Sequence, residues 1–291
     1  MLPAERIERA LLRRWPLPVP QAGTKEERGE VFVVAGAAQT PGAAILAATS
    51  ALRAGAGKLK VATAASVAAY VGAAVPESLV VALDDLPSGG FGLENARTIV
   101  EHANGADALV FGPGLVDEAA SASLACAVLA KLETPVVLDA AALGGCAQDP
   151  DVLHRLDGRA VLTPHAGEMA RMMGSERDAV EEDPARYARD AARRLRAVVV
   201  MKGATTYIAQ PDGALFCNTE GDVGLATSGS GDTLAGIIGG LLARGLPPIG
   251  AAVWGVYLHA QAGSLLSQRI GLGFLAREIP GEIPGLMRWV G

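Results

Sequence analysis

GSGDTLAGIIGGLLARG, residues 229–245, joins a loop of small residues directly to a strongly apolar segment. Leu234, Ile237, Ile238, Leu241 and Leu242 recur at helical spacing, which predicts a buried helix that ends at Gly245. Glycines let backbone N–H groups approach a ligand closely, and the first turn of a helix carries partial positive charge. The loop therefore suits a phosphate group.

Asp232 is the unusual residue of this segment, because a carboxylate repels phosphate. One interpretation is that it takes a proton from a hydroxyl that attacks a phosphoryl group. The alternative is that it caps the helix, as Asp, Ser and Thr often do, although Thr233 offers the same cap. The motif alone favours the catalytic interpretation slightly.

Composition limits the class of protein. The chain has 291 residues, 50% of them hydrophobic, enough for one large α/β domain or two smaller ones. Its net charge is −6 and only 4% of its residues are aromatic, which argues against a nucleic-acid partner. Four scattered histidines and three cysteines lack the spacing of a structural zinc site. An odd number of cysteines fits a reducing compartment, and we expect them to lie in the core.

The apolar stretches argue against a membrane protein. Mean hydropathy is +0.30, but Gly, Pro and charged residues interrupt every apolar run before it is long enough to span a bilayer. Arg13-Arg14-Trp15 precedes a proline-rich segment instead of the apolar core of a signal peptide. We therefore expect a cytoplasmic protein.

Short apolar runs alternate with helical patterns from Glu30 onward, which predicts a mostly parallel sheet covered on both faces. Pro211-Asp212-Gly213 separates two further strands and predicts an antiparallel hairpin at one edge. We predict an N-terminal helix (about residues 4–14) and arm over residues 1–24, and a single domain over 25–291. The predicted strands are 31–36, 58–63, 79–83, 108–112, 135–139, 160–163, 197–202, 205–210 and 214–218.

Polar or glycine-rich groups follow several of these strands. In an open parallel sheet, ligands bind beyond the carboxyl ends of the strands, so these groups predict one extended pocket. Lys202 and Gly203 suit a phosphate, although a solvent-facing Lys before a turn is equally compatible with the pattern. His165 and Glu168 suit a ligand and a Mg²⁺ bound through water, or simply the start of a helix capped by Thr163. Asp139 fits a metal ligand, a ribose ligand or a turn residue. The phosphate loops GxxxxGK[ST] and GxGxxG are both missing.

Several motifs, taken in order, resemble those of the ADP/ATP-dependent NAD(P)H-hydrate dehydratase family. They are Gly112-Pro113-Gly114-Leu115, Leu138-Asp139-Ala140, Leu162 to Glu168, Lys202-Gly203, Ala226 to Asp232 and Gly255 to His259. The resemblance covers roughly residues 25–268 and implies the ribokinase-like fold, a three-layer αβα sandwich. That family phosphorylates a hydroxyl at C6 of the damaged nicotinamide ring from ADP or ATP, and phosphate then leaves to restore NADH or NADPH.

The resemblance also implies roles for individual residues. Ala43, Gly114, His165 and Asp232 would contact the hydrate. Lys202, Gly203, Ala204, Thr205, Thr206 and Gly231 would hold the nucleotide, with Gly229 and Ser230 completing the phosphate loop. Asp232 would be the catalytic base, and Glu168 would orient the waters of a Mg²⁺ ion. A homotetramer is implied too, as is cooperation with a separate NAD(P)H-hydrate epimerase, since the chain is too short to include that domain.

The chain departs from the usual family pattern at two positions: Ala166 replaces a proline, and Ala141 replaces a second aspartate. Two other functions are therefore also compatible with the sequence. One is a kinase of the same fold for a vitamin-like alcohol such as hydroxyethylthiazole. The other is a catalytically silent nucleotide-binding protein. The sequence does not distinguish ADP from ATP as the donor.

Overall fold

The computed structural model describes residues 3–19 and 23–290, and the side chains of all these residues except 146–148 and 290. Its ten strands form one sheet. They are β1 (Glu5–Arg6), β2 (Glu30–Val34), β3 (Lys58–Ala64), β4 (Ser78–Leu83), β5 (Ala108–Phe111), β6 (Val136–Leu138), β7 (Ala160–Leu162), β8 (Val198–Met201), β9 (Thr206–Ala209) and β10 (Leu215–Asn218).

The strand order is β1-β10-β9-β8-β7-β6-β5-β2-β3-β4. Only β9 of these strands runs antiparallel to its neighbours, β8 and β10, as the hairpin signal predicts. The other pairs are parallel, so the carboxyl ends of β5 to β8 open onto one edge of the sheet.

Helices cover both faces of this sheet. Among the described residues they are α1 (Arg9–Leu12), α2 (Pro41–Arg53), α3 (Ala65–Ala74), α4 (Ala96–Ala103), α5 (Glu118–Leu129), α6 (Leu143–Gln148), α7 (Asp151–His154), α8 (Ala166–Met173), α9 (Arg177–Glu182), α10 (Pro184–Leu195), α11 (Ser230–Ala243), α12 (Pro248–Ile270) and α13 (Ile279–Val290).

Two apolar cores lie on opposite faces of the sheet because side chains alternate along each strand. In β2, Val31 and Val33 pack with α2, α11 and α12, whereas Phe32 and Val34 pack with α4 and α5. All four side chains are fully buried. The result is the predicted three-layer αβα sandwich.

Helices α2 and α11 pack in close contact through glycines of α11. A Cβ on Gly236 would lie 2.2 Å from the carbonyl oxygen of Ala47, and one on Gly240 would lie 2.3 Å from that of Ala51. From the first contact to the second, the residue number rises by four in both helices, so the two helices run in the same direction. Continuing this register by one turn toward the N-termini brings Ala43 level with Asp232.

The N-terminal segment differs from the prediction. The helix expected over about residues 4–14 is confined to α1, because Glu5 and Arg6 pair with β10 as an edge strand. The cysteines differ too: Cys126 and Cys217 are half-buried, not fully within the core, and the side chain of Cys146 lies outside the described part. Within the described ranges, every helix is too short or too polar to cross a membrane.

Candidate active site

The polar groups that follow β6, β7 and β8 converge at one edge of the sheet. His165 and Lys202 form an isolated parallel bridge just beyond β7 and β8. The backbone N–H of Lys202 donates to the carbonyl oxygen of Pro164 at 2.8 Å. Asp139 follows β6 and is only 3% exposed. The pocket predicted from the strand ends thus brings together side chains that lie far apart in the chain.

Asp139 is the centre of a small charged network. Its Oδ1 accepts hydrogen bonds from Thr163 Oγ1 at 2.6 Å and from Lys202 Nζ at 2.9 Å. Glu168 Oε2 lies 3.8 Å from the same ammonium. Burial alone would lower the pKa of Lys202, but the charges of Asp139 and Glu168 outweigh it and raise that pKa. Lys202 is therefore a firmly charged cation with two anionic partners.

His165 and Glu168 form a reciprocal cap at the start of α8. His165 Nδ1 accepts from the N–H groups of Gly167 and Glu168, and Glu168 Oε2 accepts from the N–H of His165 at 2.8 Å. Thr163 is not the cap, because its hydroxyl bonds Asp139 and the carbonyl of Leu138. Burial lowers the pKa of His165, so the ring is neutral near pH 7. Its exposed edge still faces the cavity described below.

The first turn of α11 presents unused donors. The helix is preceded by Gly229 at φ +88°, a left-handed conformation, and no side chain caps it. Ser230 N–H donates to Thr227 and Thr233 N–H to Gly229. The N–H groups of Gly231 and Asp232 have no acceptor within residues 3–19 and 23–290. These two donors form an anion site at the positive end of the helix.

Asp232 stands in this turn without a hydrogen bond to any described residue, so its side chain does not serve as the helix cap. Burial, reinforced by the negative charge of Asp139 and opposed by the positive charge of Lys202, raises the pKa of Asp232 to about 7. A carboxylate with a pKa near neutral is suited to accept a proton.

Ala43 at the start of α2 and Gly114 after β5 meet each other. Gly114 has φ +69°, and a Cβ there would lie 2.4 Å from the Cβ of Ala43. Thr40 Oγ1 donates to the Gly114 carbonyl at 2.5 Å and fixes this loop against the start of α2. By the register of α2 and α11, Ala43 and Gly114 lie at the level of Asp232, whereas His165 lies in the wall of the cavity described next.

A cavity of about 800 Å³ opens next to the first turn of α11. Its wall contains seven of the predicted residues: His165, Lys202, Gly203, Ala204, Thr206, Ser230 and Gly231. Thr205 and Gly229 belong to the same two segments without lining the cavity, and Ala43, Gly114 and Asp232 lie outside its wall. The cavity also has an apolar wall that the sequence did not predict, formed by Val223, Leu225, Val256 and Ala260.

The sequence did not predict two contacts of this site. One is the ion pair between Asp139 and Lys202; the other joins His259 of α12 to Ser230. Both are tertiary contacts between distant segments. The position of Asp139 at a strand end was the only signal for the first.

A preformed metal centre is not seen: in the described part of the chain, His, Cys, Asp and Glu side chains form no group of three that would hold an ion. Ala141, which replaces the family's usual aspartate, lines a separate cavity of about 190 Å³ together with Glu118, Glu168 and Arg171.

The fold defines a protein of the ribokinase-like class: a ribokinase-like superfamily protein of Enterococcus faecalis superposes over 99% of this chain and 96% of its own, with a TM-score of 0.83 and 27% identity. The model of the NAD(P)H-hydrate dehydratase family matches residues 31–285. An ADP-dependent (S)-NAD(P)H-hydrate dehydratase of Xanthomonas campestris is 48% identical over 97% of this chain and 95% of its own. The chain belongs to the NAD(P)H-hydrate dehydratase family.

Other relatives agree with this membership. A bifunctional NAD(P)H-hydrate repair enzyme of Moorella thermoacetica is 38% identical over 94% of this chain, which spans 52% of that longer protein. The ADP/ATP-dependent NAD(P)H-hydrate dehydratase of Bacillus subtilis, co-crystallised with ATP and Mg²⁺, superposes with a TM-score of 0.83. It is 28% identical, and the match covers 100% of both chains. A hydroxyethylthiazole kinase of Pyrococcus horikoshii, with a TM-score of 0.56 and 18% identity, shares the fold alone.

Proposed function

We propose that this protein converts the hydrated forms of NADH and NADPH back to NADH and NADPH at the expense of ADP or ATP. The carrying observation is the position of Asp232: a half-buried carboxyl of raised pKa beside two unused N–H donors and level with Ala43. A base between an anion site and a substrate site is the arrangement that phosphoryl transfer to a hydroxyl requires.

In the first step, Asp232 accepts the proton of the hydroxyl on the nicotinamide ring, and the hydroxyl oxygen attacks the terminal phosphorus of the nucleotide. The bond from that phosphorus to the bridging oxygen breaks, so AMP leaves when ADP is the donor and ADP leaves when ATP is the donor. The N–H groups of Gly231 and Asp232 stabilise charge on the transferred phosphoryl group. In the second step the carbon–oxygen bond breaks, phosphate leaves with the bonding electrons, and the neighbouring ring carbon releases a proton to solvent water. The ring double bond is thereby restored.

The two substrates divide the site between them. Lys202 to Thr206 and Gly231 bind the nucleotide, and Ala43, Gly114 and His165 contact the hydrate. The ion pair with Asp139 holds the ammonium group of Lys202 beside the first turn of α11. A Cβ on Gly231 in that turn would lie 3.5 Å from Lys202 Nζ. Lys202 reaches a bound phosphate without a large change of position.

We also propose that Mg²⁺ accompanies the nucleotide. Among the described residues lining the 800 Å³ cavity, Lys202 is the only Lys or Arg, while Glu220 and Asp222 are acidic. The positive charge of Lys202 is already paired with the carboxylates of Asp139 and Glu168. A polyphosphate brought there needs another cation, and Mg²⁺ binds phosphate oxygens while keeping several waters. Glu168 would orient those waters, and the ion would supply charge neutralisation.

The assembly and compartment form a further part of the proposal. The family resemblance implies a homotetramer that works alongside a separate NAD(P)H-hydrate epimerase, and the sequence favours the cytoplasm. The half-buried free thiols of Cys126 and Cys217 support a reducing compartment. Light scattering after size exclusion measures the number of subunits, and a value other than four overturns the tetramer.

One assay tests the activity itself. The protein is incubated with the hydrate of NADH and either ADP or ATP, and the absorbance of the reduced nicotinamide is followed. Recovery of that absorbance, dependent on nucleotide, supports the proposal. Nucleotide turnover with hydroxyethylthiazole alone indicates the kinase alternative, and nucleotide binding without turnover indicates a silent binding protein.

A further inference from the structure

His259 of α12 contacts the turn that begins α11. Its Nε2 lies 3.0 Å from Ser230 Oγ and 3.1 Å from the Ser230 carbonyl oxygen. A carbonyl oxygen only accepts, so Nε2 carries the proton and donates to it. The hydroxyl of Thr233 donates to the same carbonyl at 2.6 Å. Two side chains therefore hold this carbonyl group in place, in addition to the backbone of α11, which begins at Ser230.

This carbonyl belongs to the same peptide group as the N–H of Gly231. A peptide group is planar and trans, so its C=O and the following N–H point in opposite directions. Holding the Ser230 carbonyl toward α12 therefore aims the Gly231 N–H away from α12. That N–H is one of the two unused donors of the anion site.

We infer that His259 is a positioning residue that aims the Gly231 N–H at the phosphate of the bound nucleotide. The inference rests on the proposed nucleotide site, whose cavity wall includes His259; the ring acts there through its hydrogen bond to Ser230. Burial lowers the pKa of His259 to about 4, so the ring is neutral near pH 7 and makes this contact without adding a charge.

Substitutions of His259 separate this role from simple packing. In His259→Leu the donor is lost at similar size, and we expect ADP to bind about tenfold more weakly, as for loss of an oriented hydrogen bond to a charged group. The affinity for the hydrate should stay within twofold. His259→Gln places an amide N–H where Nε2 lies, and should recover most of the ADP affinity.

Trp254→Phe is the matched control. It also removes a ring N–H of α12 that donates to a backbone carbonyl, that of Trp15 at 2.7 Å, but Trp254 is not in the cavity wall. The melting temperature should fall in this variant while ADP affinity stays unchanged. Should His259→Leu fail to fold, His259→Asn replaces it, because its shorter amide does not reach the Ser230 carbonyl.

Calorimetry measures the affinity for ADP directly and does not use the hydrate reaction. The result is therefore independent of whether the enzyme repairs the hydrate. Unchanged ADP affinity in His259→Leu or His259→Asn overturns the inference. So does an equal loss in Trp254→Phe, which would show that the effect is structural, and so does a failure of His259→Gln to bind better than His259→Asn.

Discussion

Lys202 Nζ donates to Asp139 Oδ1 at 2.9 Å, joining the ends of β8 and β6 beneath the candidate phosphate site. Asp139 is 3% exposed, so removing its cation leaves a buried carboxylate without its countercharge. The pair therefore makes neutralising Asp139 a function of Lys202, beside the phosphate binding that we propose for it.

We expect Lys202→Ala to weaken nucleotide binding more than hydrate binding, and also to lower the free energy of unfolding by roughly 3 kcal/mol, as when one partner of a buried ion pair is removed. Calorimetry and urea denaturation measure the two effects. The double variant Lys202→Ala, Asp139→Asn should regain part of the stability but none of the nucleotide affinity. If Lys202→Ala binds ADP and ATP as tightly as the wild type, Lys202 is not a phosphate ligand.

Asp232→Asn should abolish turnover while nucleotide still binds. The amide keeps the shape of the carboxyl but does not accept the proton of the hydroxyl, and loss of a general base costs on the order of 10²–10⁴ in rate. Steady-state kinetics measures kcat, and calorimetry with ADP serves as the control for an intact site. A kcat near that of the wild type would remove Asp232 from the mechanism.

The rate should rise with pH through about 7, because Asp232 must be ionised and its pKa is raised to about 7 by burial and by Asp139. Asp139→Asn removes one of these causes and should shift this acid limb to lower pH. A pH profile of kcat for both proteins tests the shift. An unmoved limb would show that a different group controls it.

The same raised pKa has the opposite effect on stability. Between its ordinary pKa of 3.8 and about 7, the folded protein holds the Asp232 proton more tightly than the unfolded chain does, so this group's contribution to stability falls as pH rises through that window. Asp232→Asn does not ionise, and its melting temperature should exceed that of the wild type more at pH 8 than at pH 4. An equal difference at both pH values contradicts the assignment.

EDTA should stop the hydrate reaction and added Mg²⁺ should restore it, since Lys202 is the only Lys or Arg among the described residues of the cavity wall. Glu168→Gln should raise the Mg²⁺ concentration needed for half-maximal rate. Titrating Mg²⁺ at fixed ADP measures that concentration. Full activity in EDTA would show that the backbone donors and Lys202 are sufficient.

Most of the fold follows from local patterns, because buried parallel strands and the helices between them have distinct periodicities. β8, predicted at 197–202, is Val198–Met201, and the buried helix predicted to end at Gly245 is Ser230–Ala243. Edge strand β1 was missed, because two exposed residues carry no apolar pattern and are ordered only by pairing with β10.

The candidate site, too, could be predicted only where local residue types carry the information. The loop before α11 and the strand-end position of Lys202 were readable from local residue types. The contact of His259 with Ser230 was not, because it depends on how α12 lies against α11. The capping of α8 by His165 was also missed, since Thr163 is the more common cap and only the structure shows its hydroxyl engaged with Asp139.

Gly236 and Gly240 have a consequence for catalysis although neither approaches a substrate. They let α11 lie directly against the backbone of α2, with Ala43 and Asp232 at the same level. In the site that we propose, the spacing between phosphoryl acceptor and phosphoryl donor is therefore set by this helix packing. A single methyl group at Gly240, two turns away from Asp232, would push the helices apart and misalign the two reactants without altering any chemical group of the site.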